Sequence, residues 1–571
     1  MFNRMLVAAG FVAAVAVPGI AAADAPAPAP APAAAAPAAP VCDPYKDYSC
    51  LDKYLGTGFW ERLVNYYDLE WNQAGPPTDP KAPPGRREGF PNSPTTTPPM
   101  PFTDWPYGGT EALGDTLPGS IDSPFMVAIA NTALGNWMAD NHFQLYGWVN
   151  AGANISTSTV KPGGNFPAAY SYNPNEVQLD QVVVYWDRFP DTVQKDHMDW
   201  GMRLSAIYGE TYRYTTAYGF DSFQLLNKNR ANGYDFPMIW GELYFPQVAN
   251  GLMLRAGRYI SVPDIEAQLA PNNYMYSHSM TYAFDNYTNT GIIGTLAVTP
   301  QFFVQAAVAV GTEATIMHMH ETVGNPTQYV TLPGYGTIKN PLFPDASFKK
   351  DPGAMPSYTL CGRYSSMSGD DDVNVCVDAL NKGTWGYNNL MWAGLTAYHK
   401  FNDKWHISWE GYHIYIKDVP NLNNPIVQAL NATYGTDGGT PFSSLQGIRF
   451  NNPNEAYCLG NFSSVGGPLT CTANWTASVA YINYSPDPLN NFSIRPEWIY
   501  DAQGQRSGTP THYGNLAFGW QHWFGPQLEV RPEVALYHSF NAPAFNGNFN
   551  AGIPTATKQE VILSGDFIFH F

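Results

Sequence analysis

Between Glu560 and Phe571 the chain alternates: Val561, Leu563, Gly565, Phe567, Phe569 and Phe571 fall on one face, and Glu560, Ser564, Asp566 and His570 on the other. A period of two marks a strand whose faces meet different surroundings, because successive side chains point to opposite sides. The stretch from Gln527 to His538 repeats the pattern, with Leu528, Val530, Val534 and Leu536 set against Gln527, Glu529, Arg531 and Glu533. From Asn491 to Tyr500 it recurs, with Phe492, Ile494, Trp498 and Tyr500 against Ser493, Arg495 and Glu497. Each is a stave with an apolar outside and a polar inside.

Applied to the whole chain, this pattern predicts strands near 142–157, 177–187, 198–209, 236–246, 251–260, 287–299 and 301–313. A second set is predicted near 390–401, 404–417, 472–484, 491–501, 512–524, 527–539 and 559–571. Tight turns carry the residues that favour them, as at Phe401-Asn402-Asp403-Lys404 and Ser485-Pro486-Asp487-Pro488. They alternate with long connections at 158–176, 210–235, 261–286, 314–389, 418–471 and 540–558, while 188–197 and 502–511 are of middling length. Short turns opposite long loops characterise an all-β, antiparallel, up-and-down transmembrane β-barrel, here of about 14 strands with 12 or 16 as alternatives. The two longest loops, 314–389 and 418–471, are expected outside the cell, and tight turns such as that at Lys404 in the periplasm.

Composition agrees. Charged residues make up 13% of the chain and aromatics 15%, so charge is low although no long apolar run replaces it. Aromatics gather near strand ends, at Trp405, Trp409, Tyr412 and Tyr415 and at Trp520, Trp523 and Phe524, as an interfacial girdle would require. Pro496 and Pro532 interrupt their strands inside matching Arg-Pro-Glu triplets, and since proline cannot donate to the ladder a bulge is expected at each. A net charge of -18 argues against nucleic acid as a partner.

Ahead of the barrel, Arg4, the apolar run Leu6 to Val17 and Ala21-Ala22-Ala23 read as a signal peptide over 1–23. Residues 24–40 form a Pro/Ala-rich linker, extended for lack of core-forming side chains. Residues 41–141 are expected to be a periplasmic or plug segment with short helices, the candidates being Leu51 to Glu70 and Pro124 to Met138; the barrel is assigned 142–571.

The six cysteines fall into three neighbouring pairs, Cys42 with Cys50, Cys361 with Cys376 and Cys458 with Cys471, which proximity and an oxidising destination mark as disulfides. The last two pairs are expected to brace the two longest loops. Asp370, Asp371 and Asp372 form a weak calcium candidate, having carboxylate oxygens without EF-hand spacing. His318-Met319-His320-Glu321 has metal-ligand residue types but reads better as solvated surface, so no metal or other cofactor is assigned. With no G-x-S-x-G and no partnered Ser/His or Asp/His pair, nothing points to an enzyme.

Alternation nominates inward residues: Arg203, Glu242, Arg255, Glu410, Arg495, Glu497, Glu529, Arg531 and Glu533, with Asp199, His406 and Asp566 beside them. Ionised side chains lining water select by field, and an excess of carboxylates favours cations. Pairing of Arg and Glu between neighbouring staves would instead stiffen the wall. The triplets Arg495-Pro496-Glu497 and Arg531-Pro532-Glu533 lie two strands apart and are candidates for a constriction, while the loop at 261–286 and the segment 41–115 are candidates for filling the lumen.

Three stretches carry a resemblance to a known family: Phe102-Thr103-Asp104-Trp105-Pro106; Leu145-Tyr146-Gly147-Trp148-Val149-Asn150 through Ser156-Thr157-Ser158; and Leu254-Arg255-Ala256-Gly257-Arg258-Tyr259 with Asp264-Ile265-Glu266, Tyr276-Ser277-His278-Ser279 and Thr290-Gly291. Over about 95–571 the chain resembles the OmpL-like β-barrel porins of the bacterial outer membrane. Phe571, with aromatics two and four residues earlier, is similar to the C-terminal signature read by barrel-assembly machinery. The resemblance implies a multi-pass barrel among outer-membrane lipid and lipopolysaccharide, and a water-filled channel for passive diffusion of small hydrophilic solutes or ions. A surface-exposed structural or adhesive barrel with a loop-filled lumen is the alternative. The oligomeric state stays open.

Overall fold

The computed structural model describes residues 52–72, 96–97, 100–101, 113 and 123–571, apart from 169, 218–219, 222, 227–229, 261–263, 313, 316–328, 333–335, 340–356, 382–390, 431–457, 461–463, 488, 505, 525–526 and 549–552. The signal and linker reading, Cys42 with Cys50, Phe102 to Pro106 and His318 to Glu321 lie outside the described residues.

Sixteen antiparallel staves close into one barrel. The first seven are β1 (Gln144–Ser156), β2 (Val177–Arg188), β3 (Asp199–Gly209), β4 (Gly233–Asp235 and Ile239–Phe245), β5 (Leu252–Ile260), β6 (Thr288–Ala297) and β7 (Phe302–Thr312). Next come β8 (Ser357–Ser365), β9 (Asp371–Leu380), β10 (Met391–Lys400), β11 (Trp405–Pro420) and β12 (Thr470–Asp487). The set ends with β13 (Asn490–Asp501), β14 (Thr511–Trp523), β15 (Leu528–Val530 and Glu533–Ser539) and β16 (Gln559–His570). β16 pairs with β1 from Ile562↔Ser156 to His570↔Trp148, and Phe571 and Gly147 exchange both backbone hydrogen bonds at 2.9 Å. Closure leaves no edge, so every stave can bury its peptide groups in lipid.

The count of 16 was an alternative to the expected 14, and the difference is one hairpin. β8 and β9 lie inside the region assigned to the loop 314–389. Their outward residues Tyr358, Leu360, Val373 and Val375 alternate with inward Ser357, Thr359, Cys361, Asp372, Asn374 and Cys376. The turn between them is made by Ser366 to Asp370, with Gly369 at φ 74°. Cys361 and Cys376 therefore do not brace an external loop: they are opposite partners in the β8–β9 register, disulfide-bonded with Cα atoms 4.2 Å apart on the inner wall. Cys458–Cys471 does join a long loop to the start of β12.

Neither proline makes a bulge. The β13 register is unchanged across Pro496 on both neighbours, and β15 keeps one register on each side of Pro532 although its ladder is interrupted there. Both rings point outward, where losing one donor removes rungs without adding a residue. The girdle also needs correcting. Trp405, Trp409, Tyr415, Trp520 and Phe524 do face out, but Tyr412 and Trp523 are buried inside, the latter stacked on His570 with centroids 5.5 Å apart.

Among the described residues, four short helices precede β1: α1 (Asp52–Leu55), α2 (Phe59–Asn72), α3 (Pro124–Ile129) and α4 (Ala133–Asp140). The expected second helix is thus split around Asn131, whose φ is 64°. Ser123 caps α3 by accepting the Met126 N–H at 3.1 Å, with proline at the position where its missing N–H costs nothing. Buried Arg62 ties α2 to α3 by donating to the Val127 carbonyl at 2.9 Å. Met126, Ile129 and Met138 pack on outward-facing Leu145, Trp186 and Met202, and the Tyr67 hydroxyl donates to the His570 carbonyl at 3.2 Å. These helices pack on the outside of β16, β1, β2 and β3 at the short-turn end of the barrel, the periplasmic end by the turn rule.

Candidate functional site

The connection between β5 and β6 turns into the barrel. Residues 264–287 are buried throughout, and Tyr274, Tyr282, Phe284 and Tyr287 belong to the largest core cluster among the described residues, which fills part of the lumen. Tyr170, from the β1–β2 loop, stacks on His278 at 3.7 Å and on Tyr214 at 4.5 Å. Loops from several directions thus share one interior.

A loop carries its own backbone donors and acceptors, and inside a barrel each must find a partner. Here the wall supplies them. On β11, Glu410 accepts the Ile265 N–H at 3.1 Å, and the Tyr274 hydroxyl lies 2.8 Å from His406 Nε2. On β12, Tyr481 donates to Glu266 at 2.6 Å. On β13, Arg495 donates to the Ser277 hydroxyl at 2.9 Å, and Glu497 accepts the Thr281 N–H at 2.5 Å and its hydroxyl at 2.7 Å. On β15, Arg531 reaches the Asn273 carbonyl at 2.9 Å, and Glu533 accepts the Ser277 N–H at 3.0 Å. On β2, Gln181 Nε2 donates to the Gln268 carbonyl at 2.5 Å. The loop is held across the lumen by charge-assisted hydrogen bonds from wall to backbone.

Within the loop, Ser279 caps the turn α5 (Met280–Ala283) by accepting the Tyr282 N–H at 2.9 Å, and Glu266 accepts the Ser279 N–H at 2.9 Å. Burial lowers the basicity of His278 well below the usual imidazole range, so the neutral ring donates from Nε2 to the Ala267 carbonyl at 2.6 Å. Burial likewise pushes Asp264 and Asp285 well above the usual carboxylate range, reinforced by Glu410 beside Asp264 and by Asp264 beside Asp285.

A family model, described as "putative beta-barrel porin-2, OmpL-like", matches residues 142–571. The chain belongs to this family. It is an outer-membrane, multi-pass porin-type barrel. Among solved structures the porin is similar to the outer membrane channel DcaP of Acinetobacter baumannii, at 9% identity over 75% of this chain and 97% of that one, with a TM-score of 0.40. It is similar to the anion-selective porin from Comamonas acidovorans at 8% identity, 75% and 99% coverage and a TM-score of 0.40. The high-pH structure of Pseudomonas putida OprB shares 9% identity over 77% and 96%, with a TM-score of 0.39. No curated protein matches in sequence.

The porin's nominated lumen residues fall into two groups. At one side, Arg203 pairs with Asp187 at 2.9 Å and Arg255 with Glu242 at 2.6 Å, each guanidinium also lying over an aromatic ring. At the other, Glu410, Arg495, Glu497, Arg531 and Glu533 grip the loop, and Arg531 also pairs with Asp566 at 2.5 Å. Glu529 accepts from Gln521 at 2.7 Å, and Asp199 sits near the turn end with Arg188 at 3.0 Å. The two Arg-Pro-Glu triplets do meet around one object, and that object is the loop. Asp371 and Asp372 do not converge: Asp371 faces out beside His399 at 2.7 Å, while Asp372 faces in and accepts from Arg363 at 2.7 Å.

Sequence reading missed what Asp264, Glu266, Ser277 and Ser279 do. They stand in the motifs that carry the family resemblance, so the motif itself was the available signal.

Proposed function

We propose that the barrel is a passive channel for small hydrophilic solutes or ions, narrowed by the loop 264–287 and weakly cation-selective. The observation that carries the reading is that loop's seat. It crosses the lumen on the side chains of Glu410, Arg495, Glu497, Arg531 and Glu533, which turns a wide sixteen-stave interior into a constriction with charged walls. Family membership supports the porin role. Selectivity follows from the field of those groups, since an acidic excess concentrates cations near the passage.

One observation favours a second reading, in which the lumen is filled and the barrel serves as a structural or adhesive surface protein. The side chains nominated to meet solute are buried, with Glu410, Arg495 and Glu529 all 0% exposed. Planar-bilayer recording of the folded, full-length protein separates the two. Steady ohmic current supports the channel; silence from correctly folded protein replaces it with the filled barrel.

A further inference from the structure

We propose that Asp264, Asp285 and Glu410 bind one divalent cation of the calcium class, tying both roots of the lumen loop to β11. Each offers one carboxylate oxygen, and the three atoms lie within 4.8 Å of one another. Oxygens on opposite sides of a calcium ion, at its usual bond lengths, stand about 5 Å apart, whereas magnesium draws them to about 4 Å. Separations of at most 4.8 Å fall within the reach of one calcium coordination sphere.

Two of the carboxylates, Asp285 and Glu410, have an oxygen to spare. Asp285 accepts the Asn286 N–H at 2.6 Å through Oδ1, and Glu410 accepts the Ile265 N–H at 3.1 Å through Oε2. Asp285 Oδ2 and Glu410 Oε1 are both buried and accept no hydrogen bond among the described residues. A buried carboxylate oxygen without a donor is costly, and a hard cation is the partner whose chemistry suits it.

Charge around the cluster points the same way. Arg506 is a cation that reaches Asp285 electrostatically, and its guanidinium also donates to the Phe284 carbonyl. Glu266 is matched by Arg495, with 3.6 Å between them, and Asp378 by hydrogen bonds from Thr359, Asn286 and Asn289. The three acids of the cluster outnumber the arginine beside them, and a divalent ion would offset that excess. Asp264 opens the inserted loop and Asp285 nearly closes it, so one ion joins two distant points of the chain to the opposite wall. The site stands whether or not the barrel conducts.

A shared proton between Asp264 and Glu410 is the competing way to hold these groups together, and terbium titration distinguishes them. The folded, full-length protein is stripped with chelator and titrated with Tb³⁺. Luminescence is sensitised through Tyr412, which donates to the Thr281 carbonyl, and Trp475, 3.1 Å from Tyr412. Saturable one-site binding is expected, displaced more readily by Ca²⁺ than by Mg²⁺. Glu410→Gln and Asp285→Asn should each weaken it by about tenfold or more, while Asp371→Asn leaves it unchanged. Glu410→Gln keeps an acceptor for Ile265, so it stays informative if Asp285→Asn does not fold. Absence of saturable binding to the wild-type protein, or wild-type affinity in the folded Glu410→Gln variant, overturns the proposal.

Discussion

Arg495 and Ser277 stand on opposite sides of the lumen in the topology, one on β13 and the other in the β5–β6 loop, and their side chains meet at 2.9 Å. Glu533 takes the Ser277 N–H from β15 at 3.0 Å, so one serine is held from two staves. Removing one partner from such a buried network typically costs about 3–5 kcal/mol. Arg495→Ala combined with Glu497→Ala should release the loop, raising single-channel conductance and current noise while the closed barrel persists. A folded double variant with unaltered conductance would show that the loop does not set the width of the passage.

How far the sequence carried this is clearest at β8 and β9. Their alternation is present in Ser357 to Ser365 and Asp371 to Leu380, but the outward side carries Gly362 and no tryptophan, and the acidic run at Asp370 to Asp372 imitates a loop. Polar turns and exposed loops share a composition, which is why the hairpin merged with its neighbours. The inward set was legible because period two is local. Its task was not, because Glu497 and Thr281 are distant in sequence and no periodicity reports their contact.

The extra hairpin changes the expected topology. Ser368, in the β8–β9 turn, now shares a side with Lys404, whereas Ser464 lies in the long connection before β12. A single cysteine introduced at Ser464 should react with an impermeant maleimide on intact cells, and cysteines at Ser368 or Lys404 only after the outer membrane is opened. Labelling of Ser368→Cys from outside would contradict the sixteen-stave register.

The two described disulfides should differ in what they protect. Chain-entropy arguments give each short ring about 3 kcal/mol against the reduced unfolded chain. Cys361 and Cys376 already face each other in the β8–β9 ladder, so Cys361→Ser with Cys376→Ser should leave the native barrel's protease resistance intact. Cys458 lies outside the barrel strands, and Cys458→Ser with Cys471→Ser should make the connection between β11 and β12 cleavable sooner. Peptide mapping of the non-reduced protein checks the pairing. Equal protease sensitivity of the two double variants would remove the distinction.

Cation preference is the prediction that the ion pairs constrain most. Arg203, Arg255 and Arg531 are each matched by a carboxylate on a neighbouring stave, and Arg495 by Glu266 of the loop, so these arginines add little net field. Glu497 and Glu533 accept hydrogen bonds from Thr281 and Ser277 but form no ion pair among the described residues. Neutral donors bring no compensating charge, and the passage beside the loop should be net negative. Salt screens such a field over about 10 Å at 0.1 M, so selectivity should be measurable at low ionic strength and fade as it rises. Reversal potential under a KCl gradient reads this directly, with a sign showing potassium preference and Glu497→Gln with Glu533→Gln reducing it. Chloride preference at low salt would mean that the narrowest point lies beside Arg495 and Arg531, and the acidic excess would then belong to a wider part of the lumen.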